Sequence, residues 1–294
     1  MGNMNVALLV VCFSAFFISA AQAYSFWDDF RMFFGESVAK FPGPKVGQTV
    51  TLGMTKLTGS GFRSLSPYMF GRFSMKIKVM KGNSAGTVTA FHMASTSKNW
   101  CELDYEFLGN VSGQPYSLQT NVFVRGQGNR EQRINLWFDP SNAYHEYGWL
   151  WNQNQVLFLV DNIVVRVFKH QKGLPYLDYQ PMYIYGTLWN GESWATRGGR
   201  DKINWAYQPF QASYTAFNIH NSCKVKNPLS LTQIQTCYKR ASLSTYGQGV
   251  NLILTNKQIL ELRKIRSKYL TYDYCTDKTR FAGRVPPECR KNWP

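Results

Sequence analysis

The stretch Asn99-Trp-Cys-Glu-Leu-Asp-Tyr-Glu-Phe-Leu-Gly-Asn110 places three acids, Glu102, Asp104 and Glu106, at alternate positions. In an extended strand they share one side, while Cys101, Leu103, Tyr105 and Phe107 form an apolar opposite face. Like charges side by side are unfavourable on a purely structural sheet. Retaining glycoside hydrolysis needs such a group: a nucleophile and an acid/base with carboxyls roughly 5–5.5 Å apart. A strand rises about 3.3 Å per residue, so Glu102 and Glu106 must lean toward each other over the shorter Asp104. Asp104 is then placed to hold a proton between them. The same spacing also suits a solvated acidic face or a calcium site built from carboxylates.

The elements that must position this row are mostly strands. Phe73, Met75, Ile77 and Val79 alternate with polar residues on one face of a predicted strand. Val156–Val160 and Ile163–Phe168 flank Asp161-Asn162, a two-residue connection suited to a tight hairpin. Leu118–Val124 and Met182–Leu188 are further strands. Many strands without alternating helices predict an all-β sandwich or jelly roll. Near the C-terminus, Ile259, Leu262, Ile265 and Tyr269 form one apolar stripe, with Thr255 or Asn256 as cap, predicting a helix. The organisation expected is a leader over 1–23, a β-sandwich over 24–222 and an extension with one helix over 223–294.

Val6–Ala20 is an uncharged apolar run followed by Ala21-Gln22-Ala23, the pattern of a secretory signal peptide. No later segment is long and apolar enough to span a bilayer. Secretion makes disulfides natural for Cys223, Cys237, Cys275 and Cys289; two local bridges, Cys223–Cys237 and Cys275–Cys289, fit the spacing without being fixed by it. The net charge is +16, and from Lys224 onward there are 14 Lys/Arg against 4 Asp/Glu. An anionic matrix suits this better than nucleic acid in a secreted chain, although a basic soluble surface is equally consistent.

Glu-Leu-Asp-Tyr-Glu-Phe-Leu-Gly-Asn closely resembles the active-site strand of plant xyloglucan endotransglucosylase/hydrolases, of glycoside hydrolase family 16. The resemblance runs on through Gln114–Val124, Gly126–Arg133, Leu136–Pro140, Leu188–Asn190 and Trp194–Gly199 to Tyr272–Asp277 and Arg280-Phe281. It implies a concanavalin-like jelly roll with an open cleft, needing no cofactor. It also implies Glu102 as nucleophile, Asp104 as helper and Glu106 as acid/base. Gln119, Asn121, Trp189, Trp194, Arg197 and Gly198 would bind substrate along with Trp100. Asn110-Val-Ser112 is a sequon, and the family's habit of glycosylation just after this strand makes Asn110 a glycan site. The partner implied is xyloglucan or a related β-glucan in the cell wall, with acidic wall polymers added by charge; no nucleic acid or membrane is implied.

The chain departs from the family's pattern beside the nucleophile. Trp100 and Cys101 stand where His-Asp is usual, and Tyr183 and Asn204 replace a frequent Arg and Asp. Alternation puts Trp100 on the cleft face, an apolar ring that is expected to alter the donor site in favour of less substituted glucans. Action on cellulose or mixed-linkage glucan is therefore the alternative substrate class, and a non-catalytic glucan-binding wall protein the alternative from another class. Gly82-Asn-Ser-Ala-Gly86 matches a nucleophile-elbow pattern, but strands on both sides predict a β-turn. His92, His145, His170 and His220 are scattered, and no H-E-x-x-H or C-x-x-C suggests a metal.

Overall fold

The computed structural model describes residues 25–43, 48–243 and 253–290; the expected leader over 1–23 lies outside them. In chain order a short helix α1 (Phe26–Asp29) leads into β1 (Phe30–Phe34), β2 (Val50–Met54), β3 (Ser60–Ser64) and β4 (Tyr68–Met69). Next come β5 (Gly71–Lys78), β6 (Thr87–Ala94), β7 (Glu102–Leu108), β8 (Ser117–Phe123) and β9 (Gln132–Asn135). They are followed by β10 (His145–Trp151), β11 (Gln155–Val160), β12 (Ile163–Lys169), β13 (Tyr183–Asn190), β14 (Phe210–His220) and β15 (Cys223–Lys224). Helices α2 (Leu231–Leu243) and α3 (Asn256–Tyr269) precede the last strand, β16 (Leu270–Asp273).

An eight-stranded sheet, β1-β3-β13-β6-β7-β8-β9-β16, faces a six-stranded sheet, β12-β11-β10-β5-β14-β2. The expected all-β sandwich is the observed one. Asp161 and Asn162 both have positive φ, 47° and 66°, the twist that lets a two-residue turn join β11 to β12. Ser84 lies in the connection between β5 and β6, with its N–H donating to the Asn110 carbonyl at 2.9 Å. That setting is a turn between strands, as expected for the Gly82–Gly86 segment.

The layer between the sheets fixes β7. Leu103, Tyr105 and Phe107 are fully buried against Tyr147, Trp149 and Phe158 of the opposite sheet. The ring of Phe107 meets Tyr147 edge-on at 4.8 Å, and Tyr105 lies 5.2 Å from Trp149. The Tyr105 hydroxyl donates to the carbonyls of Gly148 (2.8 Å) and Leu159 (3.0 Å). Each such large apolar side chain contributes about 1.5–3 kcal/mol on burial. A one-residue slip of β7 would expose all of them, so core packing holds the acidic face outward.

The expected helix forms as α3, capped by Thr255, whose hydroxyl accepts from the Gln258 N–H at 3.3 Å. Its Ile259 and Leu262 cover the outer face of the six-stranded sheet at Leu150, Leu157, Leu159 and Val164. Among the described residues the extension also holds α2, ahead of the main helix α3. The apolar contacts of α2 are few, at Ile234, Cys237 and Ala241, and its second turn is tied to β15 through the bridge Cys223–Cys237. The second bridge joins Cys275 to Cys289, just beyond β16.

β16 pairs with β9 and so completes the eight-stranded sheet from the far end of the chain. Asp273 closes this junction, accepting from Arg266 at 2.7 Å and from the Cys275 N–H at 3.0 Å. Replacing Cys275 and Cys289 by Ser is expected to remove roughly 3 kcal/mol of stability in the chain-entropy model. Thermal unfolding under non-reducing conditions measures this; an unchanged midpoint would mean that packing alone holds the tail.

Candidate active site

The outward face of β7 forms the floor of a cleft of about 630 Å³. Antiparallel register sets Asp104 between His92 of β6 and Asn121 of β8, and Glu106 between Ala90 and Gln119. Glu102 lies between Ala94 and Phe123. Pairing continues outward on one side to Thr187 and Trp189 of β13, and on the other to Arg133 of β9 and Tyr272 of β16. All of these except Ala94 line the cleft, joined by Glu131, Trp194, Asp277 and Arg280.

The three acids are held differently. Glu102 accepts a hydrogen bond from the Trp100 indole N–H at 2.8 Å. Burial, then the charges of Glu102 and Glu106, push the Asp104 carboxyl well above its usual range, toward the protonated form, and it hydrogen-bonds to Glu102. Glu106 accepts from the Gln119 amide at 2.7 Å, and Gln119 in turn accepts from Arg133 at 2.7 Å. Burial pushes Glu106 up to about 7, with Glu102 and Glu131 adding to the rise and Gln119 and Arg133 opposing it. Burial also lowers His92, leaving a neutral imidazole stacked on Tyr185 at 4.8 Å.

This arrangement can deliver a proton from one carboxyl while another attacks. A general acid must carry its proton, so the first half-reaction is expected to decline as pH rises through about 7, where Glu106 ionises. Gln119 donates to the ionised form and holds that value down. In Gln119→Ala the basic limb of kcat/KM should therefore move to higher pH. A limb that stays or moves lower would remove Glu106 from this role.

Gln119, Asn121, Trp189 and Trp194 come together in the cleft. The Asn121 side-chain carbonyl is taken up by the N–H groups of Val122 (2.9 Å) and Arg130 (3.1 Å). Arg197 and Gly198 do not line the cleft: positive φ values of 47° and 70° turn the segment, and exposed Arg197 pairs with Asp201 at 2.6 Å. Asn110 follows β7, its amide donating to the Pro115 carbonyl at 2.9 Å. Cys101 is buried and free, on the core face as expected. Tyr183 lies under the Arg63 guanidinium at 4.5 Å, and Asn204 caps a short turn by accepting from Ala206 at 3.1 Å. His92, read as scattered, is in fact on the cleft floor. Among the described residues no group of three or more His, Cys, Asp or Glu could hold a metal ion.

Residues 26–207 match the profile of glycosyl hydrolases family 16, and a Bacillus licheniformis β-glucanase shares the fold with a TM-score of 0.52 and 25% identity, covering 68% of this chain and 90% of its own. The chain belongs to family 16 of the glycosyl hydrolases. Residues 244–289 match the xyloglucan endo-transglycosylase (XET) C-terminus. A probable xyloglucan endotransglucosylase/hydrolase protein 5 of Arabidopsis thaliana is 48% identical over 84% of this chain and 82% of its own length. A probable protein 7 of the same group and organism is 44% identical over 98% and 96%.

Proposed function

We propose that the protein is a secreted, retaining xyloglucan endotransglucosylase/hydrolase of the cell wall, with Glu102 as nucleophile, Asp104 as helper and Glu106 as acid/base. The observation that carries this is the division of labour among three acids on one strand: Asp104 and Glu106 held toward the protonated form, Glu102 hydrogen-bonded from both sides. Glu106 protonates the departing glycosidic oxygen as Glu102 attacks the anomeric carbon. Glu106, now ionised, takes a proton from the incoming hydroxyl of another glucan or from water, and the Glu102 carboxylate leaves. Trp189 and Trp194, 6.1 Å apart, offer planar faces suited to glucose rings.

The leader over 1–23 and the family support an apoplastic location, and Asn110, beside the exposed residues 111–115, is the proposed glycan acceptor. Purified protein, xyloglucan donor and a fluorescent xyloglucan oligosaccharide test the activity. Label moving into polymer on size exclusion is the expected result. Cleavage of cellulose or mixed-linkage glucan alone would transfer the reading to those donors, which the apolar Trp100 ring favours.

A second partner is proposed from charge. Lys257, Arg263, Lys264 and Lys268 are exposed on α3, with one acid, Glu261, pairing with Lys257 at 4.0 Å. Such a face supports retention on acidic wall polymers. Binding to polygalacturonate should weaken as salt rises and fall several-fold in the Lys257→Gln, Lys264→Gln, Lys268→Gln triple variant; equal binding would rule the face out.

A further inference from the structure

Trp100 is built into the site more tightly than an apolar replacement requires. Its indole ring lies against Phe123, with centroids 5.8 Å apart and planes at 27°. On its other edge it meets Gly126, where an added Cβ would come within 3.2 Å of the indole Cζ3. Gly126 has a φ of +74°, and its N–H donates to the Trp100 carbonyl at 2.8 Å. Phe123 is the cross-strand partner of Glu102. The seat thus fixes the ring beside the nucleophile, with the indole N–H 2.8 Å from Glu102 Oε2.

We propose that Trp100 is a positioning residue that acts through Glu102: its N–H orients the nucleophile and stabilises it as the leaving carboxylate of the second half-reaction. This rests on the reading of Glu102 as nucleophile. In the first half-reaction a Glu102 oxygen forms a bond to the anomeric carbon as the glycosidic bond breaks, and the Glu106 proton goes to the departing oxygen. The carboxylate charge is spent in the ester. In the second half-reaction the incoming hydroxyl gives its proton to Glu106, its oxygen bonds the anomeric carbon, and the Glu102 carboxylate is released with its charge restored. A donor to a charged carboxylate is stronger than one to a neutral ester. The indole N–H therefore favours the released carboxylate over the ester, and its loss falls mainly on release.

The test compares Trp100→Phe, which keeps an aromatic ring without the N–H, with Trp100→His, which restores a ring N–H donor. The donor is whichever of xyloglucan, mixed-linkage glucan and cello-oligosaccharide the wild type cleaves. In Trp100→Phe, kcat should fall on the order of tenfold to a hundredfold, with KM falling alongside it and kcat/KM for the donor within about threefold of wild type. Quenched steady-state samples should carry more covalent glycosyl-enzyme than wild type. Trp100→His should recover most of kcat and return the intermediate to the wild-type level. A Trp100→Phe enzyme with wild-type kcat and intermediate level overturns the proposal, as does a Trp100→His enzyme as slow as Trp100→Phe. If Trp100→Phe does not fold, as read by thermal unfolding, Trp100→His decides the matter on its own by the same criterion of near-wild-type kcat and intermediate. Wild-type cleavage of only the second or third donor overturns the xyloglucan reading and leaves this comparison intact; cleavage of none overturns both.

Discussion

Glu102→Ala should lower transfer by on the order of 10⁴-fold or more while leaving oligosaccharide binding within a few-fold of wild type. No neighbour can replace it. Asp104 is pushed toward its protonated form by burial and by the charges on either side, and Glu106 is tied to Gln119. Binding survives because Trp189, Trp194 and the polar floor of the cleft are untouched. Equilibrium binding of a xyloglucan oligosaccharide, measured beside turnover, separates catalysis from mere adhesion. Turnover that persists in the variant would return the three acids to a structural or ion-binding role.

Glu106→Gln keeps the shape and the contact to Gln119 but cannot carry the proton. With polysaccharide donors the expected loss is about 10²–10⁴-fold, the usual contribution of a general acid. An aryl glycoside with a good leaving group needs no proton, so its first half-reaction should proceed near the wild-type rate. The second half-reaction then lacks its base, and a burst of phenol followed by a slow phase is the expected trace. Equal losses on both donors would mean that Glu106 does not act as the acid.

The acidic row was legible because it needs only one strand: period-two alternation puts Glu102, Asp104 and Glu106 together whatever the surrounding topology. The hairpin at Asp161-Asn162 and the capped stripe of α3 were legible for the same local reason. What alternation cannot supply is register between strands. His92 shares its face with Val88, Ala90 and Ala94, but only the pairing of β6 with β7 sets it opposite Asp104. Arg133, Tyr272, Asp277 and Arg280 reach the cleft because β16 joins β9 from the far end of the chain. The Tyr272–Asp277 and Arg280-Phe281 motifs were the available signal, and only a long-range pairing gave them a place. α2 escaped notice because much of it faces solvent and a disulfide anchors it, so it needs little of the apolar periodicity by which helices are recognised.

Gln119 and Asn121 share a strand face by alternation, and the register of β8 on β7 sets them opposite Glu106 and Asp104. Arg197 and Gly198 sit in an irregular turn where two successive positive φ values set the direction of the chain, which strand alternation cannot anticipate.

Glu102 is expected to form the covalent bond to sugar. The most direct measurement incubates the protein with a xyloglucan donor in the absence of an oligosaccharide acceptor, quenches in acid and digests to peptides for mass analysis. The account predicts a glycosyl adduct on the peptide containing Glu102, lost when acceptor is added before the quench and absent in Glu102→Ala. An adduct on another residue, or cleavage with inversion and no adduct, would contradict it.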